Sequence, residues 1–369
     1  MTQREYLATE PRLSAFATPL MTIDRSATAH NVALMADWLA RRGLEIAPHG
    51  KTTMAPQLWR QLLDAGAWGI TLATGWQVQL ARSFGIGRIL LANELIDPVA
   101  LHWLGVELAD PSFQFACWVD SVAAVELMRS GLAGAARRVD VIVELGGART
   151  GARTVEEALA VASAVEAAPE LRLAGVGGYE GSLAHSRSAA DVAAIERYLD
   201  DIVTLHDRLA WEGKPIVTAG GSAYFDIVAD KLAPLVGAAT VILRSGAYQV
   251  HDDGFYKGIT PLSGFRSAMH GWARVLSRPE PGLAILDGGK RDFPYDEGMP
   301  VSRYGPVEKL NDQHAYLRTT ASGEPAVGEV VRLGLSHPCT AFDKWRVIPV
   351  IDDVAAEDPL VVDLVRTWF

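Results

Sequence analysis

The sequence predicts an α/β chain: a (β/α)8 TIM barrel followed by a C-terminal antiparallel β-domain. Three observations carry that expectation. Eight short apolar runs are near-continuous, helical periodicity fills the gaps between them, and the texture changes near residue 260. Parallel strands covered by helices read as unbroken β-branched runs, not as alternating ones. Eight such units over roughly 220 residues match the size and rhythm of this barrel. A doubly wound open sheet is the competing architecture, but no G-x-G-x-x-G follows the first run.

In chain order the runs are EIAP (45–48), WGITLA (68–73), RILLAN (88–93), QFACWV (114–119), VDVIVEL (139–145), LAGVGGY (173–179), PIVTAG (215–220) and TVILRS (240–245). Between the early runs, NVALMADWLARRG (31–43) closes on a glycine suited to a helix C-terminus, and PQLWRQLLDAGA (56–67) opens on a proline suited to the first helical position. Longer Ala/Glu/Leu-rich helices are expected over 154–168 and 189–211. Past residue 260, Gly and Pro become denser and helical periods vanish. The pieces HGWARVLS, GLAILDGG, HAYLRTT, EVVRLGLS and RVIPVID read as strands of a separate β-domain. The expected division is a barrel over 24–260, with 1–23 and 261–369 forming the β-domain; TPLMTID (18–24) offers an extra strand.

The composition narrows the function. Forty-four acidic against 34 basic residues give a net charge of −10, with no Lys/Arg cluster. That excludes a nucleic-acid footprint and disfavours an anionic membrane surface. No apolar stretch approaches the ~18 residues of a spanning helix. The start of the chain lacks the basic and apolar blocks of a signal peptide, and two cysteines, Cys117 and Cys339, exclude a disulfide framework. A cytoplasmic protein acting on a small molecule is the expectation.

In such barrels the chemistry sits at the C-terminal ends of the strands. After the first strand comes PHGKTT, carrying His49 and Lys51; only seven of the 34 basic residues are lysines. A lysine taken at random is a solvated surface group. One directly after a barrel strand sits in the mouth, where desolvation lowers its pKa and makes it a Schiff-base nucleophile. After strands seven and eight come AGGS and SGAY. Taken alone these are ordinary turn chemistry, but glycines in these two loops commonly let backbone N–H groups reach a phosphate. Pyridoxal 5′-phosphate, an aldehyde carrying a phosphate, satisfies both features.

PHGKTT, GGARTG, GYEG, AGGS and SGAY, in that order, together with SHPCTAFDKW near the C-terminus, resemble the fold type III pyridoxal-phosphate enzymes, in the branch of D-threonine aldolase and D-serine dehydratase. The resemblance covers nearly the whole chain and implies an alanine-racemase-like barrel domain and a homodimer. It also implies that Lys51 carries the cofactor, beside His49. Arg149 would contact the cofactor's phenolic oxygen, with Arg153 a rival in sequence. Tyr179 would lie against the pyridine ring, and Gly221, Ser222, Gly246 and Tyr248 would hold the phosphate and its surroundings. Thr53 stands where the family often has a histidine.

Relatives carry a metal pair at the place of His337 and Cys339. A strand through SHPCTAF would aim both side chains at one ion, because residues i and i+2 share a side. Thiolate and imidazole suit Zn2+ better than Mn2+ or Mg2+. By resemblance, His-x-Cys marks a zinc-dependent dehydratase that converts a D-3-hydroxy amino acid, such as D-serine or D-threonine, to a 2-oxo acid and ammonia. The alternatives are a metal-dependent aldolase giving glycine and an aldehyde, an amino-acid racemase, or a non-catalytic carrier of the cofactor.

Overall fold

The protein is described by a computed structural model covering residues 2–320 and 323–369. After a first strand, β1 (Leu20–Asp24), eight parallel strands follow: β2 (Glu45–Ile46), β3 (Ile70–Leu72), β4 (Arg88–Glu94), β5 (Gln114–Val119), β6 (Val139–Leu145), β7 (Leu171–Gly178), β8 (Ile216–Ala219) and β9 (Thr240–Leu243). Each of the eight predicted runs is a strand. β3 to β9 pair in sequence order and β2 pairs with β9. The ring closes where His49 bridges Thr71 in parallel, supported by Trp68 N–H donating to Ile46 O (2.8 Å) and Thr71 N–H to Pro48 O (3.0 Å).

The helices on the outside begin where their caps say they should. Thr74, Ser121, Thr154 and Ser188 each accept a hydrogen bond from the backbone N–H three residues on. Asp97 does the same ahead of Pro98. Such caps satisfy donors that the first helical turn otherwise leaves open, worth about 1 kcal/mol each. Inside the barrel, Leu90, Ala116, Trp118 and Ile142 form a buried cluster.

The rest of the sheet structure comprises β10 (Met269–Glu280), β11 (Leu283–Leu286), β12 (Val301–Ser302), β13 (Gly305–Leu310), β14 (Ala315–Arg318), β15 (Val330–Gly334), β16 (Val347–Ile351) and β17 (Val361–Arg366). Six of these close a ring in the order β10, β11, β14, β13, β12, β15 and back to β10. β1 adds antiparallel to β10 and parallel to β16, so TPLMTID does supply a strand to this domain. Its core includes Val275, Leu286, Phe293, Val307, Leu317 and Leu333.

The chain divides into two compact units, one of Ala36–Lys51 with Leu62–Gly246, the other of the chain up to Met35, Thr52–Gln61 and Ala247–Phe369. Thr52–Gln61 goes with the β-domain because Ala55 and Leu58 lie in its apolar core and Met54 O accepts from Trp368 N–H (2.9 Å). Beyond residue 260 helical structure does not vanish: Pro338–Phe342 is a short helix.

Candidate active site

At the barrel rim, β2 runs through Pro48 and His49 into one 3-10 turn, Gly50–Thr52, which carries Lys51, half-buried. The backbone of this loop is fixed to strand β9, since His49 N–H donates to Arg244 O (3.2 Å). Gly246 lies so close that an added Cβ would fall 2.7 Å from His49 O and 2.8 Å from His49 N. Burial, with the charges of Lys51, Arg244 and Arg149, holds the His49 imidazole well below its ordinary pKa. The ring is therefore neutral, and it feels the charges of two other predicted site residues, Lys51 and Arg149.

Arg149 and Arg153 take different roles. The Arg149 guanidinium carbon stands 5.0 Å from the centre of the Tyr179 ring. Arg153 instead turns back onto its own loop, donating to Thr150 O (3.0 Å) and Arg149 O. Tyr179 rests against two glycines: a Cβ at Gly181 would fall 2.5 Å, and one at Gly221 2.7 Å, from its ring.

The AGGS turn differs from its sequence expectation in one respect. Glu180, fully buried, accepts from Gly220 N–H (3.0 Å) and Gly221 N–H (2.6 Å). Ser245 Oγ donates to the carbonyls of Gly220 and Gly221 (3.1 Å each). The turn is thus organised around an internal carboxylate, and the Gly221 N–H, expected to face a phosphate, has a protein acceptor. Ser222 is half-buried just beyond it. Glu180 was not singled out from the sequence; its place in GYEG, beside Tyr179, is the signal that could have found it.

Arg244 is a second residue that sequence reasoning missed. It is 3% exposed, donates to Thr218 Oγ1 (2.8 Å) and Gly178 O (2.6 Å), and lies 4.9 Å over the Trp118 ring. Burial lowers its pKa, and the Glu180 charge works against that shift. Also missed are Glu94 and Glu144, which with Asp120 bring carboxylate oxygens within 4.8 Å of one another at the ends of β4, β5 and β6. Burial and the Glu144 carboxylate push the Glu94 pKa up to about 8, so at neutral pH this group keeps its proton.

In the second unit, Tyr248 is buried in the turn Ala247–Gln249, its ring 6.0 Å from Phe265. The metal pair is there too, but not in a strand. His337 adopts a left-handed conformation (φ 47°, ψ 88°) and caps the helix Pro338–Phe342, on which Cys339 stands. Proline at 338, lacking a ladder N–H, favours the first helical turn over a strand interior. The two side chains meet nonetheless: contact with Cys339, helped by Asp296, holds the His337 pKa up to about 9. Thr52 Oγ1 lies 3.4 Å from Cys339 Sγ.

The residues present fit the groups that the sequence implies. In the barrel unit, a Cβ added at Gly221 would meet the Tyr179 ring and one added at Gly246 the His49 backbone, so both glycines allow close approach there. His49 Nδ1 and Arg244 Nε are buried with no partner among the described residues. In the second unit, one imidazole and one thiol in contact form a donor set suited to Zn2+.

Comparison with known proteins agrees. Residues 23–228 match the alanine racemase N-terminal domain, and residues 268–351 a serine dehydratase domain. D-threonine aldolase of an Arthrobacter species is 28% identical over 358 residues, 94% of this chain and 92% of that protein. The crystal structure of D-threonine aldolase from Filomicrobium marinum superimposes with a TM-score of 0.86 at 26% identity, covering 96% of each chain. The metal-free form of a D-threo-3-hydroxyaspartate dehydratase variant, with a cysteine replaced by alanine, has the same fold: TM-score 0.79, 20% identity, 97% of this chain and 99% of that one. The chain belongs to the alanine-racemase-like, fold type III pyridoxal-phosphate enzymes, in the branch of D-threonine aldolase and D-serine dehydratase.

Proposed function

We propose that the protein is a pyridoxal-phosphate- and zinc-dependent lyase that dehydrates D-3-hydroxy amino acids of the D-serine or D-threonine type to a 2-oxo acid and ammonia. The observation that carries this reading is the contact between His337 and Cys339, a nitrogen and sulfur pair that selects zinc over harder ions. Two protein ligands leave positions open for water or a substrate hydroxyl.

Pyridoxal phosphate bound in the barrel unit supplies an electron sink that acidifies the substrate Cα–H. Lys51 Nζ is the amine that would hold the cofactor by its aldehyde carbon, and it is the base that would take the Cα proton. His49, two residues before Lys51 in the same rim loop, is held neutral by burial and the surrounding positive charges. Arg149 and Tyr179, paired at 5.0 Å, would orient the ring, and Gly221, Ser222 and Gly246 are assigned to the phosphate end by family resemblance. Tyr248 is assigned to the same surroundings by family resemblance. His337 and Cys339 would hold zinc, which would supply a Lewis acid for the departing hydroxyl.

A second reading is favoured by the relatives: the Arthrobacter and Filomicrobium proteins are aldolases. One experiment separates the two. Purified, zinc-loaded protein is given D-threonine, and the products are analysed. A 2-oxo acid with equimolar ammonia is expected; glycine with acetaldehyde refutes the dehydratase reading in favour of the aldolase. The same assay on Lys51→Ala should show neither product, and borohydride should no longer fix the cofactor to the chain.

A further inference from the structure

We propose that Asp296 is a positioning residue for the metal: it holds the His337 ring by Nδ1, so that Nε2 is the nitrogen offered to zinc. This inference rests on the metal reading above and goes beyond the pair itself. Asp296 lies 41 residues before His337 in the sequence, outside the SHPCTAF segment.

The geometry comes from three bonds. His337 Nδ1 lies 2.6 Å from Asp296 Oδ2. Thr340 Oγ1 donates to the other oxygen, Asp296 Oδ1, at 2.6 Å, so the carboxylate is pinned at both ends. The backbone N–H of His337 donates to Asp252 Oδ2 at 2.9 Å. Asp252 is fully buried, and its Oδ1 accepts from the N–H groups of Gly254 and Tyr256 (3.1 and 2.9 Å). It is therefore a fixed anchor.

These contacts answer a geometric problem. Residues i and i+2 of a helix point in different directions, so a regular helix through His337 and Cys339 would separate their side chains. The left-handed conformation at His337 turns its ring back toward the thiol. A non-glycine residue held there carries backbone strain of the order of 1–3 kcal/mol, which persists only where the surroundings over-determine it. Asp252 fixes the backbone and Asp296 fixes the ring. With Nδ1 committed to a carboxylate, a neutral ring carries its proton on Nδ1 and presents a lone pair at Nε2. Metal-bound histidines characteristically have such an outer partner, whose loss typically costs about 10–100-fold in metal affinity.

The test is zinc affinity of purified holoenzyme stripped of metal, measured by competition with a chromophoric chelator. Asp296→Ala should weaken zinc binding by about 10–100-fold. Asp296→Asn, which keeps an acceptor oxygen without the charge, should fall between it and the wild type. With cobalt in place of zinc, the thiolate-to-metal absorption should persist in both variants, because Cys339 is untouched. A merely structural role would lower the melting temperature of the metal-free protein and leave the affinity unchanged. An affinity for Asp296→Ala within twofold of wild type overturns the inference. If that variant does not fold, Thr340→Val decides, since it frees one end of the carboxylate. A loss of at least threefold supports the proposal, and an unchanged affinity overturns it. Wild-type protein that binds no zinc refutes the metal reading itself, and this inference with it.

Discussion

Gly246→Ala is the sharpest steric test of how the barrel holds its lysine. Gly246 has no left-handed backbone requirement, so alanine is conformationally allowed and only space is at issue. The new Cβ would sit 2.7 Å from His49 O, about 0.7 Å inside the 3.4 Å at which ordinary contact begins, and 3.0 Å from His49 Cβ. The obstacle is backbone. His49 cannot step aside cheaply, because its N–H bonds Arg244 O and it bridges Thr71 on the other flank. Overpacking of this kind costs about 1–3 kcal/mol, and a rigid obstacle places this variant near 2 kcal/mol, roughly a thirtyfold change in the unfolding equilibrium. The displaced loop also carries Lys51, so cofactor retention should fall with stability. Urea unfolding, together with the pyridoxal phosphate retained after dialysis, reads both. Gly258→Ala is the control: it lies in the helix Phe255–Ile259, its Cβ would meet nothing within 4 Å, and it should be neutral or stabilising by about 0.5–1 kcal/mol. A Gly246→Ala protein within about 0.5 kcal/mol of wild type that keeps its cofactor would refute the argument, because the seam between β2 and β9 would then be compliant.

Two further expectations concern pH. The folded chain holds the Glu94 proton up to about pH 8, whereas the unfolded chain releases it near 4.5, so this group lowers stability progressively as pH rises through that window. Glu94→Gln should melt increasingly above wild type between pH 5 and 8, and a difference that does not vary with pH would contradict the assignment. His270 behaves oppositely: it is 4% exposed, neither ring nitrogen has a partner among the described residues, and burial together with Arg332 brings its pKa to about 4 against the pull of Asp253 and Asp24. The unfolded chain therefore takes up a proton first as pH falls below 6.5, and stability is lost toward pH 4, on the order of 3 kcal/mol in all. His270→Leu should flatten that acid limb of the melting curve; an unchanged limb would show that His270 does not cause it.

The sequence by itself determined the barrel. Parallel strands are covered on their outer face and packed within, so they must be written as continuous apolar runs, and all eight of those runs are strands. It also determined the rim, because a lysine or a glycine pair next to such a run can lie only at a strand end. His49 lies there within reach of the charges of Lys51 and Arg149. The strand assigned to SHPCTAF failed for a local reason: Pro338 starts a helix, and His337 reaches Cys339 through a left-handed turn. The rest is nonlocal. Gly221 meets Glu180 41 residues away, His337 meets Asp296 41 away, and His337 meets Asp252 85 away. Nothing in the flanking residues marks those partners, because a hydrogen bond is chosen by where closure of the chain leaves a buried donor. Strand β17 and the two-residue strand β12 were likewise illegible: β17 alternates only weakly in burial, and β12 is too short to show a period. Each is a strand because a neighbour in the folded sheet offers its backbone N–H and C=O groups, and only the tertiary structure brings that neighbour into reach.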